Sequence, residues 1–227
     1  MTEKLTIKAK DQQLDIDTNR ADIAAAFIRS IVGVAPIVGP LVAEIITATI
    51  PNQKLERIVI SIRVLEDRLK YVEEDVIRGK FKTDTFTDLL EDAFPQMARA
   101  LTDERKGYIA NLLANSLTDD TLNHLAQKKL LSLLNELNDA EIILLHFYAV
   151  RQADEEKAAA MLKEYPFIQE AITHKPETRT EEDLMFREYH GTLIMTSLIM
   201  GPVEKEHPSP TGYLLLKYIQ PDKTSCG

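Results

Sequence analysis

Residues 31–50 read IVGVAPIVGPLVAEIITATI, and the fold turns on what becomes of them. They carry a single charge, Glu44, and two prolines, Pro36 and Pro40. A run of about 20 apolar residues is what a transmembrane helix needs. A straight span is disfavoured, because each proline removes a backbone donor and clashes one turn back. The stretch therefore predicts two short apolar helices, Ala21 to Val34 and Ile37 to Ile50, joined by a Gly-Pro bend into a hairpin. Each is about 20 Å long, short of the roughly 30 Å hydrocarbon core. Three fates are open to such a hairpin: burial in a soluble fold, entry into a membrane on activation, or an interface between copies. Its candidate residues are Ile31, Val34, Pro36, Ile37, Pro40, Leu41, Glu44 and Ile45. Glu44 stands out as a lone carboxylate that can face water, pair with a base such as Arg29, or respond to pH.

Upstream, residues 1–16 show a brief alternation and then polar residues, which predicts an N-terminal arm. Downstream, Leu55, Ile62, Leu69 and Val76 recur every seven residues, with Ile58, Leu65 and Val72 between them. Charged residues occupy the flanks. That pattern predicts one long helix from Gln53 to Gly79, its seam buried against the hairpin or against a second chain. From Asp84 to Leu101, Phe86, Leu89, Leu90, Ala93, Phe94, Met97, Ala98 and Leu101 then form a buried stripe of helical period, which Pro95 is expected to kink. Thr102 or Asp103 opens a further helix with Ile109, Leu112, Leu113 and Leu117 inward, and Asn111 and Asn115 as a polar pair four residues apart.

A boundary is expected at Thr118-Asp119-Asp120, separating a helical bundle over 17–118 from a second domain over 119–220, with 221–227 as a tail. The second domain predicts a leucine-rich helix, a helix capped at Asn138-Asp139, a charged segment from Asp154 to Glu164, and a helix from Asp183 to Ser197. A short apolar strand at Leu198–Met200 and a turn-rich stretch lead to Ser209-Pro210, which cap a closing helix. The fold class expected is mainly α: an N-terminal helical bundle with an apolar hairpin and a long heptad helix, then a winged-helix-like module.

The 227 residues suffice for a real core, and 44% apolar with 28% charged residues fits a folded chain. The formal charge of −9 argues against nucleic acid, whose binding rests on clustered Lys and Arg. From Lys128 to Gln220 ten Lys and Arg stand against fifteen Asp and Glu, and Arg187 is the sole base on the helix a winged domain would offer to DNA. Gly33 and Gly39 fit no phosphate-binding fingerprint, the five histidines show no metal-ligand spacing, and Cys226 has no partner for a disulfide. The expectation is a non-enzymatic protein without catalytic residues, cofactor or metal. The N-terminus lacks the apolar core of a signal peptide, so a cytoplasmic location is expected.

The run LTDERKGYIANLLANSLTDD at 101–120, a leucine helix, and LNDAEIILLHFY at 137–148 together resemble the Abi-alpha family of bacterial phage abortive-infection proteins. That family carries a similar ANLLAN string, here Ala110–Asn115, ahead of a segment whose place is taken by Leu137-Asn138-Asp139-Ala140. It closes with L-T-P-x-G before a leucine-rich helix, where this chain has Pro208-Ser209-Pro210-Thr211-Gly212. The resemblance spans about half the chain and implies an intracellular antiviral role with no catalytic residue to carry over. The reading that results is an antiphage effector or interaction component, membrane-acting through its hairpin, with a protein partner or a second copy. The alternative is a soluble adaptor that binds a partner through the heptad helix and the acidic C-terminal module.

Overall fold

The computed structural model describes residues 35–45, 55–151, 153–168, 181–202 and 205–220. The fold is mainly α-helical, and the sheet described is a single antiparallel pair of two-residue strands. The chain divides into two compact units, the first running to Gln127 and the second from Lys128 to Gln220. The division falls inside helix α6 (His124–Glu136), downstream of the acidic turn at Thr118–Asp120.

The first unit contains α1 (Val38–Ile45), α2 (Leu55–Leu69), α3 (Glu74–Phe81), α4 (Asp84–Arg99) and α5 (Asp103–Thr118). Its centre is α5, which buries Ile109, Ala110, Leu112, Leu113, Ala114 and Leu117. α2 packs most extensively on α5 and also on α4, through Ile58, Ile62, Leu65 and Leu69, none more than 1% exposed. α4 contributes Phe86, Leu89, Leu90, Ala93, Phe94 and Met97. Thr83 caps it by accepting from the Phe86 N–H, and Thr102 caps α5 by accepting from the Arg105 N–H.

The continuous helix expected from Gln53 to Gly79 is corrected by the structure. α2 ends at Leu69, residues 70–73 turn, and α3 starts again at Glu74. The break changes which residues point inward. Val72 is half-buried in the turn and Val76 is 44% exposed, while Ile77 and Phe81 become the buried pair of α3. A seven-residue spacing sustained past Leu69 by coincidence is what the sequence displayed. Among the described residues α5 takes the larger share of the seam and α1, the described part of the expected hairpin, the smaller.

Gly107 lies inside α5, and a Cβ built there meets nothing within 4 Å. Gly107→Ala should therefore stabilise the first unit by about 0.5–1 kcal/mol through helix propensity alone. A thermal melt of the full chain checks this, and a lowered midpoint would show that the position is strained.

The second unit contains the C-terminal part of α6, α7 (Asp139–Val150), α8 (Glu155–Glu164), α9 (Glu181–Met195), β1 (Ile199–Met200), β2 (His207–Pro208) and α10 (Pro210–Ile219). α7 is its axis, in contact with α8, α9, β2 and α10. Its N-terminus carries a full capping box: Asn138 accepts from the Glu141 N–H while Glu141 accepts from the Asn138 N–H. β1 and β2 pair antiparallel, Ile199 opposite Pro208 and Met200 opposite His207.

The join between β2 and α10 is made by Ser209. Its hydroxyl donates to the Ser197 carbonyl and accepts from the Gly212 N–H, and its own N–H donates to the Leu198 carbonyl. Pro210 occupies the first turn of α10, where a missing donor costs nothing. Ser197 sits at φ 58, an uncommon backbone for a residue with a side chain.

Candidate functional site

Among the described residues, each unit has a place where a carboxylate from one element is received by donors of another.

In the first unit the place is the start of α1. Ala35, Val38, Leu41 and Val42 are buried, and α1 packs on α2 and α3. A helix start leaves its first amides unpaired. Here the Glu66 carboxylate of α2 accepts from both the Ile37 N–H at 3.0 Å and the Val38 N–H at 2.7 Å. The Gly39 N–H donates to the Ala35 carbonyl, and Pro40 has no N–H to satisfy. The anion also faces the positive end of the helix dipole. Pro40 thus lies in the first helical turn and does not break α1.

The candidate hairpin residues are placed as follows. Ile31 and Val34 lie outside the described residues, as does the expected helix from Ala21 to Val34. Pro36 is exposed in the turn, Ile37 and Pro40 are half-buried, and Leu41 is buried. Glu44 and Ile45 belong to the last turn of α1. Of the seam, Leu55 begins α2, Ile58, Ile62, Leu65 and Leu69 are core, and Val72 and Val76 fall outside the seam. Glu66 was legible only as a heptad flank. Nothing in the spacing tied it to a helix start 28 residues earlier in the chain.

In the second unit the place is a buried carboxylate, Glu206, in the turn between β1 and β2. His190 Nε2 of α9 lies 2.8 Å from its Oε1, and the Tyr148 hydroxyl of α7 donates to it. Arg151 donates to the Glu206 backbone carbonyl and lays its guanidinium over the Tyr148 ring, 4.6 Å from the centroid. Burying a carboxylate costs several kcal/mol (order of magnitude) unless donors replace its water. Here they come from two helices. The same arrangement fixes the Tyr148 phenol in its protonated form. Burial, then the Glu206 charge, then the hydrogen bond to Glu206 all raise its pKa, opposed only by Arg151. A phenol held so far above the ordinary value is a hydrogen-bond donor and a poor nucleophile. The chemistry of this cluster is to tie the β1–β2 turn to α7 and α9.

Tyr148 gives that tie a pH dependence. Below the ordinary phenol value of 10.0 the folded and unfolded chains are both protonated, and the stabilisation is complete. Above it the unfolded chain ionises first, so stability falls as pH rises toward the elevated folded value. Melts taken from about pH 9 to about pH 11 should fall more steeply for the native protein than for Tyr148→Phe. The variant itself should be about 1–3 kcal/mol less stable at neutral pH, having lost a donor to a buried carboxylate. Equal slopes would show that another of the seven tyrosines dominates the alkaline limb.

Elsewhere His146 is half-buried on α7, and its pKa is lowered by burial and by the Lys157 charge. His124, at the start of α6, lies 2.8 Å from the Asp88 carboxylate of α4. Among the described residues no three His, Cys, Asp or Glu side chains come together in a way that could hold a metal ion. Also among them, no helix is long and apolar enough to cross a membrane. Comparison with protein-family models, with curated proteins and with solved structures finds no match to this chain.

Proposed function

We propose that the protein is a non-enzymatic effector or interaction component of bacterial antiphage defence, of the abortive-infection type. It rests in the cytoplasm and acts at a membrane through its apolar N-terminal segment. The observation that carries this reading is the way α1 is stored. The apolar helix is buried on α2 and α3, yet its start is held by one carboxylate borrowed from another helix. A core helix stabilised only by packing has no such charged fastening. α1 spans eight residues, about 12 Å, so bilayer action requires a hairpin or several subunits together. Glu44, if left charged at the bilayer centre, would cost about 2.5–3.5 kcal/mol and must pair, protonate or face water.

The second unit supplies the interaction half. Helices, a two-stranded hairpin and a closing helix support a winged-helix-like reading. Its acidic balance directs it to a protein rather than to duplex DNA. The test is expression in a bacterial host challenged with phage, followed by plaque counts and membrane fractionation. The expected result is fewer plaques together with growth arrest and transfer of the protein to the membrane fraction. Unchanged plaque counts over a panel of phages, with the protein remaining in the soluble fraction, would overturn the reading.

One observation favours the soluble adaptor as second reading. α9 exposes Leu184, Met185, Ile194 and Met195, the last 87% exposed, and Met200 of β1 is 49% exposed. Exposed apolar side chains at both ends of one helix suit contact with a protein partner. The α2 seam, by contrast, is consumed inside the chain. Plaque reduction without any membrane transfer would favour this second reading over the first.

A further inference from the structure

The contact between Glu66 and the start of α1 has properties that differ from ordinary core packing. Apolar contacts are many, non-directional and individually weak. The Glu66 carboxylate makes two directed, charge-assisted hydrogen bonds to adjacent backbone amides, Ile37 and Val38, and is itself half-buried, within reach of water. One side chain therefore governs the first turn of α1. Without it, two amides face a neighbour that no longer accepts them, and the turn frays from its start.

We propose that Glu66 is the latch of the apolar helix: its two hydrogen bonds keep α1 seated on α2 and α3, and loss of its charge frees α1 while the rest of the first unit stays folded. The mechanical half of this inference stands on the geometry alone. Its consequence, that the freed segment seeks an apolar phase, rests on the membrane-acting reading above. Separability follows from where the core lies. α2, α4 and α5 bury their apolar faces largely on one another, and α1 lies to one side on α2 and α3. Glu66 lies one helical turn from Ile62 and Leu69 but, unlike them, is half-buried and spends its carboxylate on α1, and glutamine keeps its size, so the substitution leaves the packing of those buried residues in place.

The experiment uses the full chain and three proteins: native, Glu66→Gln and Glu56→Gln. Glutamine keeps the size of Glu66 but removes the charge and turns one of the two acceptors into a donor. Glu56 is an exposed carboxylate on the same helix, so Glu56→Gln removes the same charge without touching α1. Hydrogen exchange is followed over 35–45 and over α2 and α5, and each protein is co-sedimented with vesicles of phosphatidylethanolamine and phosphatidylglycerol. For Glu66→Gln the expected result is about ten-fold or more faster exchange over 35–45, unchanged protection of α2 and α5, and vesicle association absent from the other two proteins. Faster exchange without vesicle association supports the latch and overturns the membrane reading. Unchanged exchange over 35–45 overturns the latch. Faster exchange throughout α2 and α5 overturns it as well, since Glu66 would then belong to the global fold.

Discussion

The Ile62→Asp protein is expected to lose its N-terminal unit. Ile62 is fully buried at the middle of α2, on the face that packs against α5 and α4. The substitution removes a branched apolar side chain and leaves a cavity. It also places a carboxylate among Leu and Ala side chains with no donor arranged to receive it. Truncating such a residue costs about 2–5 kcal/mol, and the unpaired charge adds to that. A domain of this size is stable by only about 5–15 kcal/mol, so most of the margin goes. Circular dichroism should show a melt shifted down by tens of degrees or lost altogether. Ile62→Val, which removes one methylene, should cost about 1 kcal/mol and serves as the control. An Ile62→Asp protein that melts with the parent would place the α2 seam on the surface.

Gly212→Ala is the second large effect, and its cause is steric rather than electrostatic. A Cβ at position 212 would lie 2.2 Å from the Leu198 carbonyl oxygen and 3.2 Å from the Pro208 Cβ. The obstacle is backbone, so no rotamer change relieves it. The carbonyl concerned already accepts the Ser209 N–H, which fixes it in place. Either α10 withdraws from the β1–β2 pair or the Ser209 bridge opens. Overpacking of this kind costs about 1–3 kcal/mol or somewhat more. The expected result is a second unit destabilised by about 3 kcal/mol, read by denaturant titration and by faster exchange in α10. Set beside Gly107→Ala, the same chemical change should have opposite signs in the two units. A neutral Gly212→Ala would mean that α10 does not approach Leu198 as closely as described.

The contrast between these sites shows what could be read along the chain. Features set by a few neighbouring residues were legible: the Thr102 cap, the Asn138 cap, the Ser209-Pro210 start of α10 and the apolar stripe of α4 from Phe86 to Met97, although Leu101, expected to continue it, lies beyond the helix and is exposed. Each depends on chemistry within one helical turn. The interruption after Leu69 was not legible, because Lys70-Tyr71-Val72-Glu73 contains neither glycine nor proline and the apolar spacing runs on through it. What separates α2 from α3 is tertiary packing, which buries Ile77 and Phe81 in place of Val76. Nor could spacing unite Tyr148, His190 and Glu206, which come from two helices and a turn. Glu66 escaped for a related reason. A carboxylate on a heptad flank looks like a solvated charge until the helix start above it is known. The mainly α-helical class was legible from composition and period alone.

The close approach at Gly212 also has a meaning on the scale of descent. Ser209 can drift to threonine and keep its hydroxyl, since Thr caps a helix nearly as well. Pro210 is helpful at a first helical position but not required there. Positions 79 and 107 admit a side chain with nothing to strike. Position 212 has no such freedom, because even a methyl group collides with the main chain. Selection on this lineage should therefore hold one glycine fixed behind a Ser-or-Thr cap while the acidic helix surfaces around it diverge. A distant relative is best recognised by that small invariant rather than by the heptads.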